Sequence, residues 1–256
     1  VVLGYDTTIP VTLEDMIHHT RAVVRGAPGT FVVADMPFAT YRLGPEGTLR
    51  NAARLMQEGG AHAVKMEGGA DLCEEIARLT AAGIPVLGHL GLTPQSVHQI
   101  GGYRVQGRTR EEAEKLIADA KALERAGVFG IVLELVIEEV AREVTRSVEV
   151  PTIGIGSGRG CDGQVLVFHD MLGYGSGIRE KRFVKSYADI GSVIREAVGR
   201  YAEEVRTRAF PEERHAFRLD EAPRGAPEGR ESAAPYGSGP KDRETACAAR
   251  NGGAGE

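Results

Sequence analysis

The stretch Phe31-Val-Val-Ala-Asp35 is a short apolar run that ends on an acid, and this pattern repeats along the chain. Three further apolar runs, at 62–67, 85–89 and 130–134, also end on polar or charged residues. Short runs of this kind with helical patterns between them are typical of parallel strands in βα units. In a parallel α/β barrel all strand carboxyl ends open on one face, and that face holds the chemistry. We therefore expect these polar residues to converge on an active site.

Helical patterns separate and flank these strands. The capping-box sequence Thr12-Leu-Glu-Asp15 predicts an opening helix that runs to about residue 25. Further helices are predicted at 45–58, 71–82, 110–126, 137–147 and 188–208, further strands at 151–155 and 164–167, and a short strand or extended segment within 1–10. This gives six βα-like units, whereas a closed barrel needs eight. The pattern leaves two architectures open, an open doubly wound sheet or a barrel without its first part.

The composition changes at about Pro211. We predict one catalytic barrel domain over residues 1–210 and a disordered tail over 211–256, because the tail is rich in Pro, Gly, Ala, Arg and Glu and has almost no aliphatic periodicity. Such a segment buries too little apolar surface to offset the entropy lost on ordering.

Composition narrows the class of protein. The chain has 256 residues and a formal net charge of -5, and no basic stripe is interleaved with aromatic residues, so we expect no nucleic-acid partner. No apolar run reaches about 18 residues, so we expect no membrane span. The three cysteines are far apart and odd in number, which suits a reducing cytosol. With no secretory signal visible, a cytoplasmic enzyme is expected.

The glycine-rich stretch Gly154-Ile-Gly-Ser-Gly-Arg-Gly160 invites comparison with dinucleotide-binding loops. That fingerprint requires glycines at its first, third and sixth positions, and neither register supplies them. We interpret these glycines as sites where the backbone approaches a ligand or a neighbouring loop.

Asp35 and Glu67 are candidate ligands for a hard cation, because Mg²⁺ takes oxygen ligands and often only one or two carboxylates. The alternative is a pair of solvated loop acids. Lys65 lies two residues before Glu67 and therefore points to the same face of its strand. It would neutralise a substrate carboxylate or, alternatively, form a salt bridge with Glu67 or Asp35.

His89 and Glu134 complete the candidate site. His89 could bind metal, act in acid–base chemistry or donate a hydrogen bond to substrate, and the carboxylates favour the last role because they favour Mg²⁺ over Zn²⁺. Glu134 ends an apolar strand, which suits a general base. The alternative for Glu134 is an acid paired with a nearby Arg or Lys.

Taken together, six motifs in order resemble the ketopantoate hydroxymethyltransferase family, and the resemblance covers residues 1 to about 211. The motifs are Gly4-Tyr-Asp-Thr-Thr-Ile-Pro-Val-Thr12, Ala34-Asp-Met-Pro-Phe38, Lys65-Met-Glu-Gly-Gly69, Gly88-His-Leu-Gly-Leu-Thr-Pro-Gln95, Gly101-Gly-Tyr-Arg-Val-Gln-Gly107 and Gly154-Ile-Gly-Ser-Gly158. The resemblance implies a TIM-type (β/α)₈ barrel of the phosphoenolpyruvate mutase-like superfamily.

The resemblance also implies chemistry. The family transfers a hydroxymethyl group from 5,10-methylenetetrahydrofolate to 3-methyl-2-oxobutanoate in pantothenate biosynthesis, with Mg²⁺ as cofactor, and forms a ring-shaped homo-oligomer, often a decamer. By motif, Asp35 would bind metal and contact the 2-oxo acid, and Glu67 would be a second metal ligand. Lys65 and His89 would bind substrate, and Glu134 would be the proton acceptor.

One departure from the family pattern matters most. A Gly-Asp-Ser motif on the family's second strand normally lies just upstream of the segment that matches Val1, and it is absent here with the first βα unit. We therefore expect a barrel that lacks the first βα unit and the second strand, because the sequence is truncated at its N-terminus, has a misplaced start or belongs to a shortened protein. We expect this 256-residue chain to be inactive or poorly soluble. Leu135 and Ile137 also stand where Cys or Met, and Pro, are common in the family. Two alternatives stay open: another Mg²⁺-dependent lyase or mutase of 2-oxo acids, and an inactive subunit.

Overall fold

The structure, a computed structural model, describes residues 2–174 and 181–218. The α-helices are α1 Leu13–Gly26, α2 Pro45–Gln57, α3 Cys73–Ala81, α4 Val97–Ile100, α5 Arg110–Ala126, α6 Glu138–Ser147, α7 Phe168–Met171 and α8 Ile190–Thr207. The strands are β1 Val33–Asp35, β2 Ala63–Glu67, β3 Val86–Gly91, β4 Gly130–Glu134, β5 Thr152–Ile155 and β6 Gly163–Gln164. Short 3₁₀ turns occur at Ala70–Leu72, Pro94–Ser96 and Glu213–His215.

Local chemistry marks the ends of several helices. The Asp15 N–H donates to Thr12 Oγ1 over 3.1 Å and the Thr12 N–H donates to Asp15 Oδ2 over 3.0 Å, so the predicted capping box of α1 is confirmed. Pro45 opens α2, where its missing N–H removes no helical bond. Gly127 ends α5 with a φ of +100°, a conformation that glycine adopts without strain.

The six strands form one parallel sheet in the order β1-β2-β3-β4-β5-β6. Each strand lies beside its sequence neighbour, and the order never reverses. A doubly wound sheet requires such a reversal, so that alternative is wrong for the described residues. The order is that of a (β/α) barrel, and in the described part of the chain β1 and β6 each have one neighbour, so the barrel is incomplete.

The two faces of the sheet bury different clusters. Between the sheet and the helices lies the larger cluster, here called the outer core, whose fully buried members include Leu55, Met66, Leu79, Leu123 and Leu133. On the concave face lies a smaller inner cluster of Leu87, Val132 and Ile155, with Val33, Phe129, Ile153 and Phe183 packed against it. Neighbouring residues of one strand enter opposite clusters, as the strand period of two requires.

Two predicted strands are corrected. Residues 2–10 form turns and no strand, because no described neighbour offers them a ladder of hydrogen bonds. The strand predicted at 164–167 is shorter and earlier, since β6 covers only Gly163–Gln164 and pairs with β5. Val165 and Val167, which suggested a buried strand, are exposed.

The carboxyl-terminal part of the described chain buries fewer apolar side chains than the helices before it. Helix α8 lies close to its predicted bounds, yet Val193, Val198 and Tyr201 on it are exposed. After α8 the chain makes the turn Glu213–His215. The rest of the predicted tail, 219–256, lies outside the described residues, so the domain boundary at 210 stays a prediction. Among the described helices, none is both long and apolar enough to span a membrane.

Candidate active site

The carboxyl ends of β1 to β4 bring all five predicted site residues together. These residues are Asp35, Lys65, Glu67, His89 and Glu134. Leu87 and Val132 belong to the inner cluster, and His89 and Glu134 follow them by two positions, so the strand period places them on the same concave face. An apolar layer therefore underlies a polar layer that opens at the strand ends.

Lys65 lies at the centre of this polar layer. Its Nζ is 2.9 Å from Asp35 Oδ2 and 3.1 Å from His89 Nδ1, and its side chain is 18% exposed. The salt bridge to Asp35 that the sequence left open is therefore present. Both partners lie on strands that flank β2, because Asp35 is the register partner of Lys65 and β3 pairs on the other side.

His89 is buried, and its surroundings fix its protonation. Burial lowers the pKa of His89, and the neighbouring Lys65 ammonium lowers it further, so the imidazole is neutral. Because the ammonium can only donate, Nδ1 accepts and the remaining hydrogen lies on Nε2. Nε2 lies 3.2 Å from Glu134 Oε2 without a well-aligned hydrogen bond to any described residue. This N–H is thus available to a ligand at the strand ends.

Glu67 is 4% exposed, and this burial sets its chemistry. Burial raises the pKa of the Glu67 carboxyl to about 7, although the Lys65 ammonium opposes the shift. Its Oε2 accepts the Gln95 N–H over 3.0 Å, and its Oε1 lies 3.8 Å from His89 Nδ1. At a pH close to 7, a buried carboxyl of this kind binds either a proton or a cation.

The donor set fits a hard cation with two protein carboxylates. Asp35 Oδ1 is buried and has no hydrogen-bond partner in the described part of the chain, and Glu67 Oε1 has only the distant His89 contact. No group of three or more His, Cys, Asp or Glu side chains with metal-binding geometry occurs among residues 2–174 and 181–218. Oxygen donors suit Mg²⁺, which commonly completes its octahedron with waters and substrate oxygens.

Comparison with known proteins now identifies the family. Residues 1–213 match the model of the ketopantoate hydroxymethyltransferase family. The chain belongs to this family. Relatives named 3-methyl-2-oxobutanoate hydroxymethyltransferase occur in Thermoanaerobacter pseudethanolicus (56% identical over 220 residues, 86% of this chain and 80% of the relative) and Carboxydothermus hydrogenoformans (56% over 219 residues, 86% and 79%). A third, in Halalkalibacterium halodurans, is 56% identical over 221 residues, covering 86% of this chain and 79% of the relative.

The structure of this ketopantoate hydroxymethyltransferase family member also shows positioning residues that sequence reasoning missed. Gln95 is 8% exposed, and its side chain joins the loop after β3 to the loop after β1. Its Nε2 donates to the Met36 carbonyl over 2.8 Å, and its Oε1 accepts the Tyr41 hydroxyl over 2.7 Å. Because its backbone N–H also holds Glu67, one residue ties together the ends of β1, β2 and β3. The only signal in the sequence is its place in the Gly88–Gln95 motif.

Ser157 is a second positioning residue, because it bonds the backbone both before and after Glu134. Its Oγ accepts the Val136 N–H over 3.0 Å and donates to the Leu133 carbonyl over 2.7 Å, while the side chain is fully buried. Between these bonds the backbone turns at Leu135, which has a φ of +49°. Few non-glycine residues adopt this conformation, so the turn depends on the hydrogen bonds from Ser157 for its stability.

The glycines around Ser157 allow a close approach of two loops, as one of the sequence interpretations held. A side chain at Gly156 would place its Cβ 2.9 Å from Leu135 Cδ2 and 3.0 Å from Phe183 Cγ. The φ of Gly156 is +68°, which also favours glycine. The glycine-rich stretch thus allows the loop after β5 to lie against the loop after β4, which follows Glu134.

Proposed function

We propose that the intact gene product of this chain transfers a hydroxymethyl group from 5,10-methylenetetrahydrofolate to 3-methyl-2-oxobutanoate and so makes 2-dehydropantoate for pantothenate biosynthesis. The observation that carries the proposal is the continuous set of contacts from Asp35 through Lys65 and His89 to Glu134 at the strand ends. Family membership and the names of the relatives support the choice of acid. The proposal includes a cytoplasmic homo-oligomer, a decamer by family resemblance.

Asp35 and Glu67 would hold Mg²⁺ through their carboxylate oxygens. When bound, the cation supplies Lewis acidity toward the keto oxygen of the substrate, which makes the neighbouring C–H more acidic. The two carboxylates also orient this end of the site, because Glu67 is fixed by Gln95 and Asp35 by Lys65.

Glu134 acts as the proton acceptor. It is partly exposed at the strand end, where substrate can reach it, and it lies beside the Nε2–H of His89. In the reaction the C3 proton of the acid passes to the Glu134 carboxylate, and the C–H electron pair becomes the enolate. The His89 Nε2–H has no well-aligned hydrogen bond to a described residue, so it can donate to the substrate oxygen as charge develops there.

Lys65 binds the substrate carboxylate. Its ammonium has already lost part of its hydration by burial between Asp35 and His89, so an entering carboxylate meets a partly desolvated charge. Charge-assisted hydrogen bonds of this kind are stronger than those between neutral groups.

The one-carbon step consumes one water molecule. The methylene carbon of the donor forms a bond to C3 of the acid and loses both bonds to the folate nitrogens. Water supplies the hydroxyl oxygen, and its remaining hydrogen, together with the proton taken from C3, ends on those nitrogens. The products are 2-dehydropantoate and tetrahydrofolate.

Deuterium exchange at C3 of the acid tests the proposal without folate. We expect Glu134→Gln in the intact gene product to lose this exchange, measured by proton NMR in D₂O, by about 100-fold or more. Glu143→Gln is the matched control, because Glu143 is exposed on α6 and takes no part in the contacts described at the strand ends. Undiminished exchange in Glu134→Gln would exclude Glu134 as the base.

A further inference from the structure

Asp119 is a buried acid to which the proposed reaction gives no role. It lies in the middle of α5 and is 8% exposed. Burying a carboxylate costs stability unless charged or polar partners replace its hydration, and Asp is also a weaker helix former than Ala, Leu or Glu. The partners of the Asp119 carboxylate therefore indicate what it holds in place.

The carboxylate of Asp119 holds the turn that follows Glu67. Asp119 Oδ1 accepts the Ala70 N–H over 3.1 Å, and Ala70 begins the 3₁₀ turn after β2. Asp119 Oδ2 is paired with the ammonium of Lys115, a side chain that is 72% exposed. This ion pair lies within α5, whereas the bond to Ala70 joins α5 to the loop that follows a predicted cation ligand.

Gly69 shows how closely this turn lies against the carboxylate. A side chain at position 69 would place its Cβ 2.4 Å from Asp119 Cγ and 2.7 Å from Asp119 Oδ1. The backbone of the turn therefore touches Asp119 at a distance that only glycine allows.

The turn after Glu67 is also bonded to β3, the strand of His89. The Gly68 N–H donates to the His89 carbonyl over 3.1 Å, which ties the start of the turn to a second site residue. The bond from Ala70 to Asp119 fixes the other end of the turn. Loss of the Asp119 acceptor would thus release the backbone that directly follows Glu67 and contacts β3 at His89.

We propose that Asp119 is a positioning residue that holds Glu67 in the geometry required to bind the cation. The inference rests on the proposed function, in which Glu67 is a ligand of Mg²⁺. Asp119 acts through the backbone from Ala70 back to Glu67. Groups that orient metal ligands from outside the coordination sphere typically contribute about 10- to 100-fold to metal affinity or activity.

Binding of Mn²⁺ to the intact gene product tests this role, because Mn²⁺ takes the same oxygen ligands as Mg²⁺. The electron paramagnetic resonance signal of free Mn²⁺ gives the affinity without turnover. We expect Asp119→Leu to weaken Mn²⁺ binding about ten-fold, because the Ala70 N–H loses its acceptor. Asp119→Asn should weaken it far less, since the amide oxygen can still accept this bond. Glu67→Gln, which removes the charge of the proposed ligand, identifies the Mn²⁺ that belongs to this site.

Gly69→Ala is a second variant, and it keeps the test available if Asp119→Leu does not fold. Its Cβ would displace the Asp119 carboxylate from the turn, so it should also weaken Mn²⁺ binding. Thr80→Val is the matched control for a lost side-chain bond to α5. Thr80 Oγ1 donates to the carbonyl of Ala126, the last residue of α5, over 3.3 Å, and its loss should leave the affinity for Mn²⁺ unchanged.

Equal Mn²⁺ affinity in wild type, Asp119→Leu and Gly69→Ala overturns the positioning role, and so does an equal loss in Asp119→Leu and Thr80→Val. Deuterium exchange at C3 of the acid separates this inference from the proposed function. If wild type binds Mn²⁺ in an Asp119-dependent way but shows no exchange, the proposed function fails and the role of Asp119 stands. Normal exchange in wild type, together with unchanged Mn²⁺ affinity in Asp119→Leu, gives the reverse conclusion.

Discussion

Gln95 shows at the scale of one residue how the site is held in shape. Its side chain makes two buried hydrogen bonds, to the Met36 carbonyl and from the Tyr41 hydroxyl. We expect Gln95→Leu to lower the free energy of unfolding by about 3 kcal/mol, because the Met36 carbonyl is left buried without a side-chain donor and the Tyr41 hydroxyl keeps only its longer bond, 3.3 Å, to the Glu67 carbonyl. Tyr41→Phe removes one partner only and should cost about 1 kcal/mol. Urea unfolding monitored by circular dichroism measures both.

A structural role alone predicts only that stability loss. Because Gln95 joins the segments of Asp35 and Glu67, Gln95→Leu should also weaken keto-acid binding, whereas Tyr41→Phe should change it less. Equal keto-acid affinity in Gln95→Leu and wild type, measured at a temperature where both are folded, would contradict the positioning role.

The site residues themselves could be predicted, but their contacts could not. Asp35, His89 and Glu134 each end an apolar run, and that local pattern is visible in the sequence. Gln95 and Ser157 hold their partners through bonds that span 59 and 21 residues, and no local pattern reports such pairs. Their role depends on the order of the strands, which only the folded sheet fixes.

At the scale of elements, helix caps contribute to stability, and their positions can be predicted directly from the sequence. Thr12 caps α1 through its hydroxyl, which accepts the Asp15 N–H. We expect Thr12→Ala to destabilise the chain by about 1 kcal/mol and to lower its melting temperature by a few degrees. Thr8→Ala is the matched control, because Thr8 is exposed and outside any helix. An equal shift for both variants in differential scanning calorimetry would show that the cap is unimportant.

The elements also show where sequence reasoning fails. Helices α2 and α5 lie within a residue of their predicted bounds, because Gly44 and Pro45 mark the start of α2, and Thr109 and Gly127 mark the two ends of α5. Helix α6 also lies within a residue of its predicted bounds, although no side chain caps its start. The short strand β6 differs from prediction, since its length depends on how far β5 offers hydrogen bonds and not on the apolar run at 164–167. Because strand pairing is non-local, apolar composition alone does not determine where a strand begins and ends.

At the scale of the whole molecule, the two faces of the sheet contribute unequally to stability. Leu133 is fully buried in the outer core, whereas Leu87 belongs to the inner cluster and is 6% exposed. We expect Leu133→Ala to cost about 4 kcal/mol and Leu87→Ala about 2 kcal/mol, because the smaller cluster can close over the space more easily. Chemical denaturation of both variants tests the order, and a larger loss for Leu87→Ala would contradict it.

The local pattern of strands and helices in the sequence leaves two fold classes open, and among the sequence arguments only the resemblance to the family favours the barrel. The six βα-like units were visible, yet strands in an open doubly wound sheet and in a barrel have the same local pattern. The decision came from the sheet order, in which β1 to β6 follow one another without reversal. That order is a property of packing over the whole chain.

This order has a consequence for synthesis on the ribosome. Each strand docks on the edge left by the strand made just before it, so no strand has to insert between two others that are already paired. The side chains of the site emerge in the same direction, with Asp35 first, then Lys65, Glu67 and His89, and Glu134 last. We therefore expect the site to assemble from the amino-terminal side, with Glu134, the proposed proton acceptor, added last.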